Sequence, residues 1–491
     1  MRRFFEIVPG ALAWLTLILM FVLSWKLPTA VSIFIILFDI YWLLKTIYLS
    51  LHLRATFSEM KINLKVNWLE KLESSSLPWK EVYQLVILPM YREPHEVVRE
   101  SFESLAGANY PKDRFLVVLA VEEAAGEEAR AVAERIKEEF AGKFYKFLVT
   151  SHPKNLPGEI PGKGSNETWA IKRAKEELID PLGLDYGKIL VSVFDVDTRI
   201  FQEYFGRLTY VFSNSGNRLR AIYQPVPLFT NNVYRAPALA RVVSFSCTFW
   251  QMMQQSRPER LTSFSSQSLP FQTLVDIGFW NTDIVSEDSR IFWQCYLHYH
   301  GDFRVEPLFY PVSMDANAAP TFSQTLKNIY KQQRRWAWGV ENTPYLLEGF
   351  RKDPKIPRRK KWYWAFIDLE GRHSWATNSL MIFALGWLPV ILGGREFHYS
   401  LLSHSLPQIT RLIVSLSMVG IASSAILGIM LLPPRPAGAV SRRYLVYFLQ
   451  WILLPVTLII FGAFPALEAQ TRLMLGGKWR LGFWVTPKSR N

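Results

Sequence analysis

Lys188-Ile189-Leu190-Val191-Ser192-Val193-Phe194-Asp195-Val196-Asp197-Thr198 is the stretch on which the reading of this chain turns. A short apolar run of strand length ends in two acids two positions apart. Such a run suits a strand buried in a sheet. If the chain stays extended past Phe194, residues two apart point to the same face. The Asp195 and Asp197 carboxylates then converge on one hard cation. Mg2+ or Mn2+ is held by such carboxylates together with substrate phosphates. Taken alone, so short a motif equally describes a pair of surface acids.

Working outward, the same pattern repeats. Residues 83–89, 115–121 and 144–150 also read as strands, and 127–140 and 165–179 as helices. Strands alternating with helices predict an α/β domain with a mainly parallel sheet. Ligands of such sheets bind where the strands end at their carboxyl edge. Asp195 and Asp197 fall at that edge.

Ser286-Glu287-Asp288 is a second acidic site, followed by a helix-like stretch at 290–299 and a strand-like one at 303–310. Acids near a helix start serve as caps or dipole partners. The chemical alternative is a general base that takes a proton from an attacking hydroxyl. Further on, Phe322, Leu326, Ile329, Gln333, Trp336 and Val340 recur at helical spacing, with Arg334, Arg335 and Trp338 among them. That pattern predicts an amphipathic helix at a membrane surface. Its tryptophans also offer a flat face to a sugar ring, and its arginines a fork to phosphate oxygens.

Apolar runs flank this soluble-type stretch at both ends. They cover residues 7–25, 29–51, 375–392, 409–432 and 444–467, each near the ~20 residues a helix needs to cross a bilayer. The first has no clear cleavage site and is followed at once by a second, so it is not read as a cleaved signal. Arg2, Arg3, Arg54, Lys61 and Lys65 around the first two runs put the central domain on the cytoplasmic side. At the other end the basic residues conflict. Arg435, Arg442 and Arg443 precede the last run, and Arg472, Lys478, Arg480, Lys488 and Arg490 follow it. Pro455 and Pro465 allow a broken or re-entrant segment between them.

The 491 residues carry 56 basic against 42 acidic groups, a net charge of +14. That surplus suits anionic headgroups or phosphorylated substrates. No nucleic-acid module stands out, so no nucleic-acid partner is expected. The two cysteines, Cys247 and Cys295, are too few for a disulfide framework or a thiolate zinc site. Asp39 is the main acid within the apolar runs, which disfavours an ion transporter.

Together these motifs resemble the membrane-bound family 2 glycosyltransferases, which include cellulose, hyaluronan and chitin synthases. The resemblance spans residues 82–340 and a short C-terminal piece. Pro89-Met90-Tyr91-Arg92-Glu93 resembles the family's nucleotide loop, and Lys163-Gly164-Ser165-Asn166, with Ala170 beyond, its lysine segment. Asp195 and Asp197 match its DxD pair. Ser286-Glu287-Asp288 matches its Thr-Glu-Asp, with Ser in place of Thr. Gln332, Arg335 and Trp336 match its Gln-x-x-Arg-Trp, and Phe483-Trp484-Val485-Thr486-Pro487-Lys488 looks like the gating loop of cellulose synthases. Three departures stand out. Glu122-Glu123-Ala124 replaces Asp-Asp-Gly, Ser263-Phe264-Ser265-Ser266-Gln267 replaces the Phe-Phe-Cys-Gly-Ser acceptor segment, and Thr168 replaces an Asn.

The resemblance implies a GT-A type nucleotide-sugar-binding domain inserted between N- and C-terminal transmembrane helices. In this division, 1–54 is a transmembrane hairpin, 80–320 the cytoplasmic catalytic domain and 321–373 a set of interface helices. Residues 374–467 form a C-terminal transmembrane region and 468–491 a basic cytoplasmic tail. The expected protein is a multi-pass membrane enzyme, of a bacterial inner membrane type, that performs an inverting transfer. Asp288, with Glu287 beside it, is the expected catalytic acid pair. Tyr91, Glu93, Glu122, Lys163, Asp195, Gln332, Arg335, Trp336, Thr486 and Lys488 are the expected donor-binding residues. Asp195 and Asp197 are the expected ligands of Mg2+ or Mn2+. The implied donor is a nucleotide sugar, a UDP-sugar first, and the acceptor a growing glycan or a lipid. Two alternatives stay open: a single transfer to a lipid, and a membrane protein that binds a nucleotide sugar without turnover.

Overall fold

The computed structural model describes residues 1–434, 443–482 and 484. Its centre is one mixed, mostly parallel sheet of eight strands. They are β1 (Tyr83–Met90), β2 (Phe115–Glu122), β3 (Lys146–His152), β4 (Ile189–Val193), β5 (Arg199–Ile200), β6 (Ala221–Leu228), β7 (Ser268–Pro270) and β8 (Arg304–Ser313). Their order is β3-β2-β1-β4-β7-β6-β8-β5. β7 runs antiparallel to β4 and β6, and β5 antiparallel to β8; the remaining pairs are parallel. The α/β expectation holds, with two short antiparallel insertions that the apolar pattern did not mark.

Both faces of the sheet are covered, and the pleat sorts the side chains between two cores. Val86, Leu88, Val117 and Leu119 pack into one with Phe102, Phe140 and Phe205. Leu85, Ile87, Leu116 and Val118 pack into the other with Ala170, Ile171, Phe292 and Trp293. The continuous apolar strands seen in the sequence thus reflect burial on two sides. The carboxyl ends of β1, β2, β3 and β4 share one edge, because these four strands are mutually parallel.

Among the described residues, four helices are long and apolar enough to cross a membrane: Arg2–Lys26, Pro28–Asn63, Leu401–Met430 and Tyr444–Leu475. A fifth results if Arg358–Phe383 and Leu385–Leu392, bent by 49°, form one span. The bend replaces the unbroken run the composition suggested. Pro389 lies in the first turn of the α-helix Leu388–Leu392 within the second piece, where its missing N–H removes no α-helical hydrogen bond. The last run is also interrupted, by a 3-10 turn at Gln450–Leu453 and a π turn at Ile459–Ala463. Pro455 and Pro465 each open the helical piece that follows such an interruption. Leu15, Ile18, Leu37, Leu44, Leu412 and Val419 are exposed on these helices. Leu53, Phe57 and Met60, near the end of Pro28–Asn63, instead pack on Val226 and Leu228 of β6 and anchor that helix to the sheet.

Candidate active site

The site gathers at the carboxyl edge of the sheet around one lysine. Lys163 opens the helix Lys163–Ala174, and its buried ammonium faces four carboxylates. Nζ lies 2.9 and 3.1 Å from the two Asp288 oxygens and 3.0 Å from Asp195 Oδ1. Glu167 Oε1 is 3.5 Å away and Glu287 Oε1 3.8 Å. The spacing of Lys163 and Glu167, four apart on one helix, makes them neighbours. Gly164 lets the helix approach: a β-carbon there would stand 2.9 Å from Glu287 Cβ.

The four acids are not equivalent. The side chains of Glu167 and Glu287 are 1% and 3% exposed, whereas Asp288 and Asp195 are 27% and 28% exposed. The sealed pair therefore lies behind the lysine, and the aspartates form its open front. Burial pushes Glu287 up to about 8, and the Asp288 charge adds to the rise. Burial also pushes Glu167 well above the usual carboxylate range, partly opposed by Lys163. For Lys163, burial favours the neutral amine, but Asp195, Asp288 and the two glutamates outweigh it and hold the ammonium charged.

β4 ends at Val193, and Asp195 to Thr198 form a turn, with Thr198 N donating to Asp195 O at 2.8 Å. The extended geometry expected for the two aspartates is therefore absent. Phe194 N still donates to Ile87 O at 3.0 Å, as the last bond of the parallel ladder with β1, and the turn follows it. Asp195 takes Lys163 and the Ser265 hydroxyl, the latter at 3.0 Å. Asp197 is fully buried, and its Oδ2 accepts from Asp315 N at 3.1 Å. Among the described residues, Glu167, Glu287 and Asp288 form a group of three carboxylates with oxygens all within 4.8 Å of one another.

Glu287 and Asp288 start the helix Glu287–His298, where acids complement the helix dipole. Ser286 does not cap this helix. Its hydroxyl and N–H, with Val285 N, donate to Glu341 Oε1, while Trp338 Nε1 donates to Oε2. Glu341 thereby fastens the acidic turn to the segment after the amphipathic helix Phe322–Ala337. Ser263 Oγ and Gln267 Nε2 donate to the Asp288 carbonyl at 2.6 and 3.2 Å. The segment 263–267, noted in the sequence only as a departure, thus contacts both front aspartates.

Gln332, Arg335 and Trp336 lie on Phe322–Ala337. The Trp336 ring stands 6.1 Å from Phe264 and 6.2 Å from Phe229, and the Arg335 charge acts on Glu287. Gln332 accepts from Asn317 at 3.4 Å. Glu468, on the helix Phe464–Leu475, holds Phe322–Ala337 in place by accepting from Tyr330 and Arg334 at 2.8 and 2.6 Å, and it also accepts from Arg472 of its own helix at 2.7 Å. Lys331 stands 5.3 Å from the Trp484 ring, so the start of the tail returns to this helix. Thr486 and Lys488 lie outside the described residues.

At the ends of β1 to β3, Tyr91 N donates to Glu93 Oε2 at 2.7 Å, so Glu93 closes its own loop. Arg92 lies over the Tyr91 ring at 5.0 Å. Glu122 pairs in register with His152, and Glu122 Oε2 is 3.0 Å from His152 Nδ1. His152 Nε2 is 3.0 Å from Glu159 Oε2. Burial opposes protonation of this imidazole, but the two glutamates prevail and raise it above its ordinary value. Sequence reasoning passed over Glu167, His152, Glu159, Glu341 and Glu468. Only the i, i+4 spacing of Lys163 and Glu167 offered a signal.

No family model matches this chain. A stretch of 85 residues is 36% identical to a poly-beta-1,6-N-acetyl-D-glucosamine synthase of Staphylococcus aureus. That stretch covers 17% of this chain and 18% of the relative, so the chain spans less than a fifth of the length of the curated relatives it matches. Two solved structures are similar over most of the chain. A mannosyltransferase from Pyrobaculum calidifontis, in complex with GDP-Man and Mn2+, aligns at a TM-score of 0.41 and 13% identity, over 84% of this chain and 96% of that one. S. aureus TarS 1–349, in complex with UDP-GlcNAc, aligns at 0.38 and 14% identity, over 81% and 93%.

Proposed function

We propose that the protein is a membrane-embedded glycosyltransferase of the GT-A type that extends a polysaccharide from a nucleotide-sugar donor. The observation that carries this reading is the bridge Lys163 makes between Asp288 and Asp195 at the sheet edge. It joins a candidate base to a candidate phosphate and metal end around one ammonium. The match to a polymer-forming N-acetylglucosamine synthase supports a glycan acceptor.

The residues present fit a divalent cation. Asp195, at the open front, and Asp197 lie in one turn, and Asp195 shares Lys163 with the carboxylates of Glu167, Glu287 and Asp288, an oxygen-rich site of the kind that suits a hard cation. Asp195 and Asp197 would hold Mg2+ or Mn2+, which when bound offsets the charge of the leaving nucleoside diphosphate. Asp288 takes the proton of the acceptor hydroxyl as that oxygen forms its bond to the anomeric carbon and the bond to the diphosphate breaks. Two lysine contacts leave further lone pairs of the Asp288 carboxylate for that hydroxyl. Lys163 and Arg335 supply fixed positive charge near the departing phosphates. Trp336, in contact distance of Phe264, supports the acceptor sugar, and Tyr91 the base of the donor. Attack opposite the leaving group gives inversion.

The length and composition of the apolar helices support a bilayer location, and the positive charge around Arg2–Lys26 and Pro28–Asn63 supports a cytoplasmic sheet domain. A second reading, one sugar added to a lipid, draws on segment 263–267. The Ser263 hydroxyl and the Gln267 amide occupy the ground next to Asp288 where an acceptor segment of different composition is expected.

Detergent-purified protein, with Mg2+ or Mn2+ or with neither, is incubated with a panel of nucleotide sugars. Nucleoside diphosphate release and product size are recorded together. A metal-dependent release with a ladder of products is expected. A single lipid-linked addition selects the second reading, and binding without release in every arm overturns both.

A further inference from the structure

Residues 351–361 carry Arg351, Lys352, Lys355, Arg358, Arg359, Lys360 and Lys361 against one acid, Asp353. The last four open the helix Arg358–Phe383, which leads into the apolar piece Leu385–Leu392. This helix has two distinct faces. Residues three or four apart share a face, which puts Arg358, Arg359 and Phe366 on the same side as Trp362. Trp364 and Asp368 fall on the opposite side.

The inner face is occupied by protein. Trp364 is buried, 5.2 Å from Trp293 and 5.5 Å from Phe292, and Asp368 accepts from Thr343. Lys360 and Lys361 turn inward too, donating to the carbonyls of Gly301 at 3.0 Å and Asp353 at 2.6 Å. Among the described residues, the outer face has no such cover. Trp362 is 76% and Phe366 66% exposed, and Arg358 and Arg359 are exposed beside them. Topology alone would ask only for positive charge near the membrane. Here the charges are sorted: lysines hold the domain, and arginines share a face with two bare aromatic rings.

That combination fits one environment. Indole and phenyl rings settle at the headgroup level of a bilayer, a guanidinium matches phosphate oxygens two at a time, and basic groups near an anionic leaflet are drawn to it. We propose that the outer face of this helix, through Arg358, Arg359, Trp362 and Phe366, binds the phosphate headgroups of anionic phospholipids. The inference rests on the membrane placement given above and adds to it a preference for lipid charge.

The full-length protein is reconstituted in nanodiscs of equimolar phosphatidylglycerol and phosphatidylcholine, then released into mild detergent. The lipids that stay bound are counted by native mass spectrometry. The parent is expected to retain phosphatidylglycerol over phosphatidylcholine. Arg358→Gln/Arg359→Gln is expected to lower that enrichment about tenfold, and Trp362→Ala to lower it less. Arg351→Gln/Lys352→Gln, outside this helix face, is expected to keep it. Equal retention of the two lipids by the parent overturns the inference, as does unchanged enrichment in Arg358→Gln/Arg359→Gln. Equal losses in both double variants overturn it as well, since diffuse charge would then suffice. Failure of the parent to enter nanodiscs overturns the membrane placement itself.

Discussion

Lys163 reaches Asp288 with both carboxylate oxygens in range, 2.9 and 3.1 Å from Nζ, while the same ammonium stands 3.0 Å from Asp195. One buried cation therefore ties together two motifs that lie far apart in the chain. The two motifs should respond to the same perturbations, which separates this arrangement from two independent acidic patches.

Asp288→Asn removes the proton acceptor but keeps shape and one lysine contact. The rate of nucleoside diphosphate release should fall about 10³-fold, within the range of a lost general base. Donor affinity by calorimetry should change less than about twofold, because the sealed glutamates and Lys163 remain. Turnover within about threefold of the parent would remove Asp288 from the role of base.

Lys163→Met leaves the carboxylates facing one another without their cation. Loss of one partner from a buried ion pair costs about 3–5 kcal/mol, so the melting temperature should drop clearly. Glu167 is already driven towards its neutral acid by burial, so adding Glu167→Gln should restore part of that stability at a pH high enough to ionise Glu167, without restoring activity. A double variant no more stable than Lys163→Met would contradict the shared electrostatics.

His152 is held between Glu122 and Glu159 with its proton affinity raised above the ordinary histidine value near 6.5. A raised value in the folded state gives stability that is complete below the unfolded value. It is lost as pH rises through the folded one. The parent should therefore lose melting temperature as pH rises from about 6.5, and His152→Gln should show a flatter profile over that range. Parallel profiles for the two proteins would show that the imidazole does not carry this dependence.

Glu468 fixes the helix of Arg335 and Trp336 through Tyr330 and Arg334. Glu468→Gln weakens two charge-assisted contacts with Arg334 and Arg472, at about 1–3 kcal/mol. Turnover should fall about tenfold through misplacement of that helix. Asp288 and Lys163 stay in place, so donor binding should hold. If turnover is unchanged while donor binding drops, Glu468 acts on the nucleotide side instead.

Much of the framework was legible in the linear chain. The strands β1 to β4 and the helix Glu127–Phe140 follow from apolar runs and amphipathic spacing, which local side-chain periodicity enforces. The apolar helices follow from length and composition alone. The misplaced details have local causes. Asp195 and Asp197 sit in a turn because β4 stops at Val193. The run at 375–392 bends between the end of one helix at Phe383 and the start of the next helical turns at Leu385.

By itself, then, the sequence determined β1 to β4 and β8, the amphipathic and apolar helices, the acids at strand and helix ends, and the basic and apolar faces, and it left β5, β6 and β7 unmarked. Each of these depends on neighbours within a few residues. Only the tertiary structure decided that Lys163 faces Glu167, Asp195, Glu287 and Asp288 together, that Glu341 and Glu468 brace the acidic turn and the amphipathic helix, and that His152 rather than a free pocket meets Glu122. These partners come from separate elements. Their meeting is set by strand register and by how closely helices pack on the sheet, and neither leaves a periodic mark in the chain.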